Sequence, residues 1–124
     1  MTARILAGIA LLLVLGNGGA NAKIACLLEG RVMSQPVKDC TETTMPVPAA
    51  EYKKQCEENS KSVSGPGNSL KGTVLPACPA GAQGACHGMF GTPASAYYYA
   101  RDPQTLAATK TSCAAQKGQW ADNP

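Results

Sequence analysis

Two stretches of the chain space their apolar positions as an α-helix does, and each carries one cysteine on its apolar face. The positions that share a face are Ala49, Tyr52 and Cys56 in the first stretch and Leu106, Lys110 (through its aliphatic stem) and Cys113 in the second. The pattern predicts two helices, each of which points one cysteine at whatever lies beneath it.

Local signals at the ends of these stretches agree with the periodicity. Pro48 is suited to open the first helix, and in the second Asp102 can act as N-cap with Pro103 at the first helical position. Lys117 suits a last helical turn, and Gly118 is a natural stop. The second helix is therefore predicted to run from Pro103 to Lys117.

Shorter apolar or β-branched runs predict strands beneath the helices. These are Lys23–Met33, Gly72–Ala77 and Ala94–Ala100, the last with Tyr98 on one face and its two tyrosine neighbours on the other. Residues 41–48 are predicted as an extended loop. The Gly-, Pro- and Ser-rich stretch Ser62–Leu70 is predicted to link two parts of the chain.

The six cysteines repeat one arrangement twice: an early Ala-Cys, a middle cysteine, and a late cysteine in a helix. The two sets are Cys26, Cys40 and Cys56, and Cys78, Cys86 and Cys113. We therefore predict an α+β, small disulfide-stabilised domain of two degenerate strand–strand–helix halves, at about 23–63 and 70–122. Coincidence among six cysteines is the alternative explanation.

Each predicted half holds an odd number of cysteines, so full oxidation within one chain requires at least one bridge between the halves. Symmetry favours Cys40–Cys56, Cys86–Cys113 and Cys26–Cys78, which is one of 15 possible pairings.

The N-terminus has the organisation of a secretory signal peptide at residues 1–22. Arg4 precedes an apolar run, Ile5–Leu15, and Ala20-Asn21-Ala22 fits an A-x-A cleavage site. A transmembrane anchor needs about 20 apolar residues, and this run is shorter. A lipoprotein acylated on Cys26 is a further alternative. Cleavage leaves a single disulfide-rich domain, 23–124, that is secreted or periplasmic, and no later stretch predicts a membrane span in the mature chain.

The composition of the chain limits the classes of partner it can bind and indicates what stabilises its fold. The formal net charge of +3 is too small to argue for nucleic acid as a partner. Large aliphatic and aromatic side chains are few in the mature chain, so disulfides worth about 2–4 kcal/mol each are expected to decide its stability.

Candidate chemistry is sparse. His87, the single histidine, and Met89 could ligate copper or zinc, but the neighbouring Cys86 is expected to be oxidised. The chain has no C-x-x-C pair for redox catalysis and no G-x-S-x-G stretch for hydrolysis. We therefore predict no enzymatic activity, no catalytic residues and no cofactor.

The most prominent candidate binding surface is the tyrosine run with its following arginine, namely Tyr97, Tyr99 and Arg101. Alternation along a strand forces at least one tyrosine away from any core. The alternative is an aromatic strand that packs on both faces, with Trp120 covering the end of the second helix.

These residues also carry a resemblance. The pattern C-P-x6-C at Cys78–Cys86, the three tyrosines at 97–99, and Cys113-x4-Gly118-x-Trp120 resemble a motif of small exported bacterial proteins and lipoproteins, mostly of unknown function. The resemblance covers residues 77–120, with a degraded echo over 25–63. It implies a location in the bacterial envelope or outside the cell, and it brings no catalytic residues.

The sequence thus predicts an exported, non-enzymatic protein with a structural role or a role in binding an unknown protein or envelope polymer. One alternative is a secreted hydrolase inhibitor that would act through a rigid loop at Thr41–Pro48 or Ser62–Leu70. A second is periplasmic copper or zinc binding through His87 and Met89.

Overall fold

The computed structural model describes residues 22–63 and 65–124, so the predicted signal peptide lies outside the described residues except for Ala22. Six strands, two α-helices and a short 3-10 turn at Met89–Gly91 make up the fold. In chain order they are β1 (Ile24–Val32), β2 (Gln35–Thr43), α1 (Ala49–Ser62), β3 (Ser69–Leu75), β4 (Gly84–His87), β5 (Ala94–Tyr98), α2 (Pro103–Ala115) and β6 (Gln119–Asp122).

All six strands join one antiparallel sheet in the order β3-β1-β2-β5-β4-β6. We call β1, β2, α1 and β3 the first unit, and β4, β5, α2 and β6 the second unit. Within each unit a hairpin is followed by a helix, and the last strand returns to pair with the first strand of the hairpin. The units meet along β2 and β5, where Thr41 lies opposite Ala96. The α+β, disulfide-stabilised class is therefore confirmed.

The disulfides differ from the predicted pairing. Cys86–Cys113 forms as predicted, but Cys40–Cys56 and Cys26–Cys78 are wrong, because the structure contains Cys26–Cys56 and Cys40–Cys78. The β1–β2 register places Cys26 opposite Thr41 and Leu27 opposite Cys40, so Cys26 and Cys40 lie on opposite faces of the sheet. Only Cys26 is on the face that α1 covers.

The cross-link that parity requires is Cys40–Cys78. Cys78 lies in the connection between β3 and β4, which crosses the sheet face opposite the helices. The small core of that face consists of Ala25, Leu27 and Cys40. The partly buried residues packed against this core are Leu75, Cys78, Tyr97 and Tyr99.

Strand boundaries depart from the sequence prediction in three places. The strand expected at 72–77 in the second half runs from Ser69 to Leu75 and pairs with β1 of the first unit. Residues 41–43, expected in a loop, belong to β2. The sequence also predicts no strand over the rest of β2, or at β4 and β6, which have four residues each.

Both helices begin where the sequence predicts. An Asp102 carboxylate oxygen accepts a hydrogen bond from the backbone N–H of Thr105 at 2.8 Å and caps α2, whereas Pro48 precedes α1 without a side-chain cap. The stop of α2 works differently from the prediction, since Lys117 (φ 61°) adopts the left-handed conformation. Glycine is required at position 118 for a different reason, since a Cβ there would lie 2.4 Å from the Cys86 sulfur.

The helices bury very little side-chain surface. The buried residues are Cys56 and Ser60 in α1 and Cys113 alone in α2. Half-cystines are also the largest fully buried side chains of the described residues: Cys40, Cys56, Cys86 and Cys113. Bridges rather than a conventional apolar core therefore hold the helices on the sheet. No helix in residues 22–63 and 65–124 is long and apolar enough to cross a membrane.

Candidate functional site

Tyr97 of the predicted binding surface belongs to a buried polar cluster on the face opposite the helices. Its hydroxyl donates to one carboxylate oxygen of Glu42 at 3.0 Å, and the backbone N–H of Cys78 donates to the other at 2.9 Å. Glu42 is only 7% exposed and is also 3.5 Å from the Lys23 ammonium. Burial, and then the Glu42 carboxylate, raises the pKa of Tyr97 to about 12. The phenol therefore stays protonated and helps to tie the β3–β4 connection to the sheet.

Tyr99 ties the same connection at a second point. Its hydroxyl donates to the backbone carbonyl of Pro79 at 2.6 Å, and the Lys38 ammonium lies 5.1 Å from its ring centroid. Burial, followed by the charge of Glu42, raises the pKa of this phenol as well. Tyr97 and Tyr99 thus share a face, and both act in packing there.

Arg101 lies with Tyr98, on the face that carries the helices. Its guanidinium is 4.6 Å from the Tyr98 ring centroid and donates to Asp39 at 2.9 Å and to Thr109 of α2 at 3.2 Å. Tyr98 in turn stacks on Trp120 at 6.0 Å between centroids. The structure therefore separates Arg101 from Tyr97 and Tyr99, and the three do not form one surface.

Trp120 closes this stack by lying directly over a glycine. A Cβ at Gly84 would be 2.1 Å from the indole ring, so only glycine fits beneath it. The indole N–H donates to Asp122 at 2.8 Å, and Lys110 of α2 approaches the same carboxylate at 3.8 Å. These contacts place the indole of Trp120 against Tyr98 and Gly84 of the sheet.

A groove of about 650 Å³ lies beside Arg101, at the end of the sheet where α2 begins. The charged groups that line it are already engaged: Asp39 pairs with Arg101, Asp102 caps the helix, and the Lys38 ammonium lies over the Tyr99 ring. Burial outweighs the attraction of Arg101 and raises the pKa of Asp39. The groove therefore presents mostly satisfied groups to a ligand.

The metal candidates lie apart from other ligating groups. The His87 ring nitrogen Nδ1 is 2.8 Å from the Ser95 hydroxyl, and the ring meets that of Tyr97 edge-on at 5.7 Å. Cys86 is in a disulfide, and Met89 begins the 3-10 turn. In the part of the chain that the structure describes, no three His, Cys, Asp or Glu side chains come together to hold a metal ion.

The structure also shows how the two loops considered for hydrolase inhibition are held. Within Thr41–Pro48, the exposed part follows β2 and includes Met45, which is 47% exposed. Within Ser62–Leu70, Asn68 closes a turn by accepting from the Met33 N–H at 2.8 Å and donating to the Val63 carbonyl at 2.9 Å. No disulfide lies inside either loop.

Sequence reasoning missed the most exposed aromatic side chain described, Phe90. It is 71% exposed and lies between β4 and β5 in a left-handed conformation (φ 56°) that aromatic residues rarely adopt. The sequence does contain a sign of this exposed side chain. A phenylalanine stands inside the turn sequence Gly88-Met-Phe-Gly91, where the two glycines favour a turn.

Comparisons with known proteins add no relative: no family model, no curated protein and no solved structure matches the chain.

Proposed function

We propose that the chain is an exported, non-enzymatic protein with a structural or macromolecule-binding role in the bacterial envelope or the extracellular space. The observation that carries the proposal is the dependence of the fold on its bridges. Three disulfides join both helices and the β3–β4 connection to the sheet, and half-cystines are the largest fully buried side chains of the described residues. Such an architecture is typical of small proteins in oxidising compartments outside the cytoplasm.

The use of the polar side chains supports a role other than catalysis. Glu42, Asp39 and Asp102 each hold a part of the fold, through Tyr97, Arg101 and the N-terminus of α2 respectively. A catalytic set would be expected to leave reactive groups directed into a cleft, with their pKa values adjusted for proton transfer.

For the two-part organisation, we infer that the two units are copies of one strand–strand–helix–strand motif. Cys26 and Cys86 are equivalent, since each lies in the first strand of its unit and bridges the helix of that unit. Gly72 and Gly118 lie beside these bridges in the same way. The repeat then aligns Cys26 with Cys86 and not with Cys78, so its boundary falls in the β3–β4 connection and not at Ser62–Leu70.

Intact mass of the native protein tests the export part of the proposal. We expect a chain that begins at Lys23 and gains no mass on thiol alkylation, because all six cysteines are paired. A chain that retains its first 22 residues, or that takes up alkylating reagent without prior reduction, contradicts the proposal.

The binding role is tested by photocross-linking in the native host. A photoreactive phenylalanine analogue replaces Phe90, which is 71% exposed, and the matched control replaces Lys53 on the exposed face of α1. We expect a discrete adduct with another protein or an envelope polymer from position 90 and none from position 53. Adducts from neither position, with export and oxidation intact, leave only the structural role.

A further inference from the structure

Two apolar features without a partner in the described residues lie at one end of the sheet, which we call the lower end. This end is formed by the start of β1, the end of β2 and the loop between β4 and β5. One feature is Phe90, 71% exposed. The other is a groove of about 430 Å³ whose apolar lining is Ile24, Met45, Pro46, Val47, Val74 and Leu75.

The backbone of the loop that carries Phe90 is held by hydrogen bonds. The Phe90 backbone N–H donates to the Gln116 carbonyl at 2.9 Å, and the Thr92 N–H closes the turn onto the Met89 carbonyl at 3.0 Å. The nearby Cys86–Cys113 bridge braces both the loop and the end of α2. The backbone of the loop is therefore ordered before any contact forms, so little backbone freedom remains to be lost on binding.

The groove and Phe90 occupy opposite sides of the lower end. The groove lies at β3, β1 and the loop after β2, whereas Phe90 lies at β5 and β4 on the other side of the centre. A two-fold axis normal to the sheet at this end would bring the β4–β5 side of one copy against the β3–β1 side of another. Each Phe90 would then face the groove of the other copy, and the contact would close on itself as a dimer.

We propose that the protein self-associates in this way, as a symmetric dimer in which Phe90 of each copy fills the apolar groove of the other. This inference goes beyond the proposed function, since it concerns contact between copies of the chain and does not depend on export. Lys23 has the one charged side chain that lines the groove, and its ammonium is 3.5 Å from the Glu42 carboxylate.

The size of the lower end sets the expected strength. Six strands about 4.8 Å apart make an end about 29 Å wide, and a sheet with one helix layer is about 20 Å thick, so the contact can bury at most about 1,200 Å² of total surface. This is the lower limit for specific interfaces, so the dimer is expected to be weak and reversible, with a micromolar dissociation constant.

Sedimentation velocity on the oxidised, mature chain, from low micromolar to millimolar concentration, tests the proposal. We expect a concentration-dependent shift from monomer to dimer. Phe90→Asn should raise the dissociation constant roughly tenfold or more, because asparagine tolerates the left-handed backbone and removes only the aromatic contact. Met45→Lys, which places a charge in the groove that receives Phe90 of the other copy, should have a similar effect.

Met33→Ala is the matched control, since Met33 is 81% exposed at the opposite end of the sheet. It should leave the dissociation constant unchanged, and circular dichroism should show that all three variants are folded. A wild-type chain that is monomeric at every concentration overturns the proposal. A dimer that survives both Phe90→Asn and Met45→Lys overturns it as well.

Discussion

In the first unit the Cys26–Cys56 bridge joins β1 to α1, and in the second the Cys86–Cys113 bridge joins β4 to α2. A glycine lies against each bridge. A Cβ at Gly72 would be 3.2 Å from the Cys56 sulfur, and one at Gly118 would be 2.4 Å from the Cys86 sulfur. Because the glycine has no side chain, the segment that follows the helix can pass close to the disulfide bridge in each unit.

The surroundings of the two bridges differ widely. The hairpin of the first unit has nine-residue strands, and its helix has no side-chain cap. The second unit has a much shorter hairpin, a capped helix, and the Arg101–Tyr98–Trp120 stack. The two units therefore share a strand-to-helix bridge with a glycine against it, and they differ in the side chains around the bridge.

Removing the bridges gives the largest expected effect. The variant with Cys26→Ala and Cys56→Ala and the variant with Cys86→Ala and Cys113→Ala open loops of similar length, with sequence separations of 30 and 27 residues. From loop entropy alone, each should lose about 3.5 kcal/mol of unfolding free energy in urea denaturation. If only one of the two variants loses unfolding free energy, the two bridges are not equivalent.

The glycines should show a smaller effect of the same kind. Gly72→Ala brings a methyl group to 2.6 Å from the Cys56 carbonyl oxygen, and Gly118→Ala brings one to 2.4 Å from the Cys86 sulfur. We expect losses of about 1–3 kcal/mol for each in urea denaturation, because neither neighbour can move away easily.

Gly65→Ala is the matched control for both glycine variants, since a Cβ there meets nothing within 4 Å. It should leave the unfolding free energy nearly unchanged. If Gly72→Ala or Gly118→Ala behaves like this control, close approach to the bridge is not what requires glycine in that unit.

Local features of the fold could be predicted from the sequence, whereas features set by strand register could not. Asp102, Pro103 and the periodicity around Cys113 identify α2 because every signal lies within a few residues of the helix. The Cys26–Cys56 bridge depends on the sheet face that Cys26 occupies, and the long-range register with β2 sets that face. The symmetrical spacing of the cysteines along the chain does not indicate which face of the sheet Cys26 occupies.

The candidate binding surface failed as one surface for a similar reason. Alternation correctly separates Tyr98 from Tyr97 and Tyr99, but Arg101 follows the end of β5, where strand alternation no longer holds. The sequence also gives no sign that the β3–β4 connection covers Tyr97 and Tyr99, since that depends on Cys78 reaching Cys40. Short strands such as β4 and β6 have too few residues to show a period.

The smallest expected effects concern two carboxylates whose pKa values shift in opposite directions. Burial raises the pKa of Asp39 above 3.8, so its stabilising contribution is present at low pH and is lost as the pH rises through the folded-state pKa. Hydrogen bonds from Thr105 lower the pKa of Asp102 below 3.8, so its contribution is lost as the pH falls through the folded-state pKa.

Thermal melts between about pH 3 and pH 6 separate the two carboxylates. Relative to wild type, Asp39→Asn should gain stability as the pH rises, and Asp102→Asn should lose it. Equal slopes for the two variants would contradict the assignment of burial to one carboxylate and helix capping to the other.

Peptide mapping of the unreduced protein after tryptic digestion tests the central claim most directly. The two-unit account predicts that the peptide 24–31, with Cys26, is joined only to 55–61, with Cys56. The peptides 39–53, 72–101 and 111–117 should form one species through the other two bridges. A species that joins 39–53 to 55–61 would contradict the account, because α1 would then be bridged to β2 through Cys40 and the units would no longer correspond.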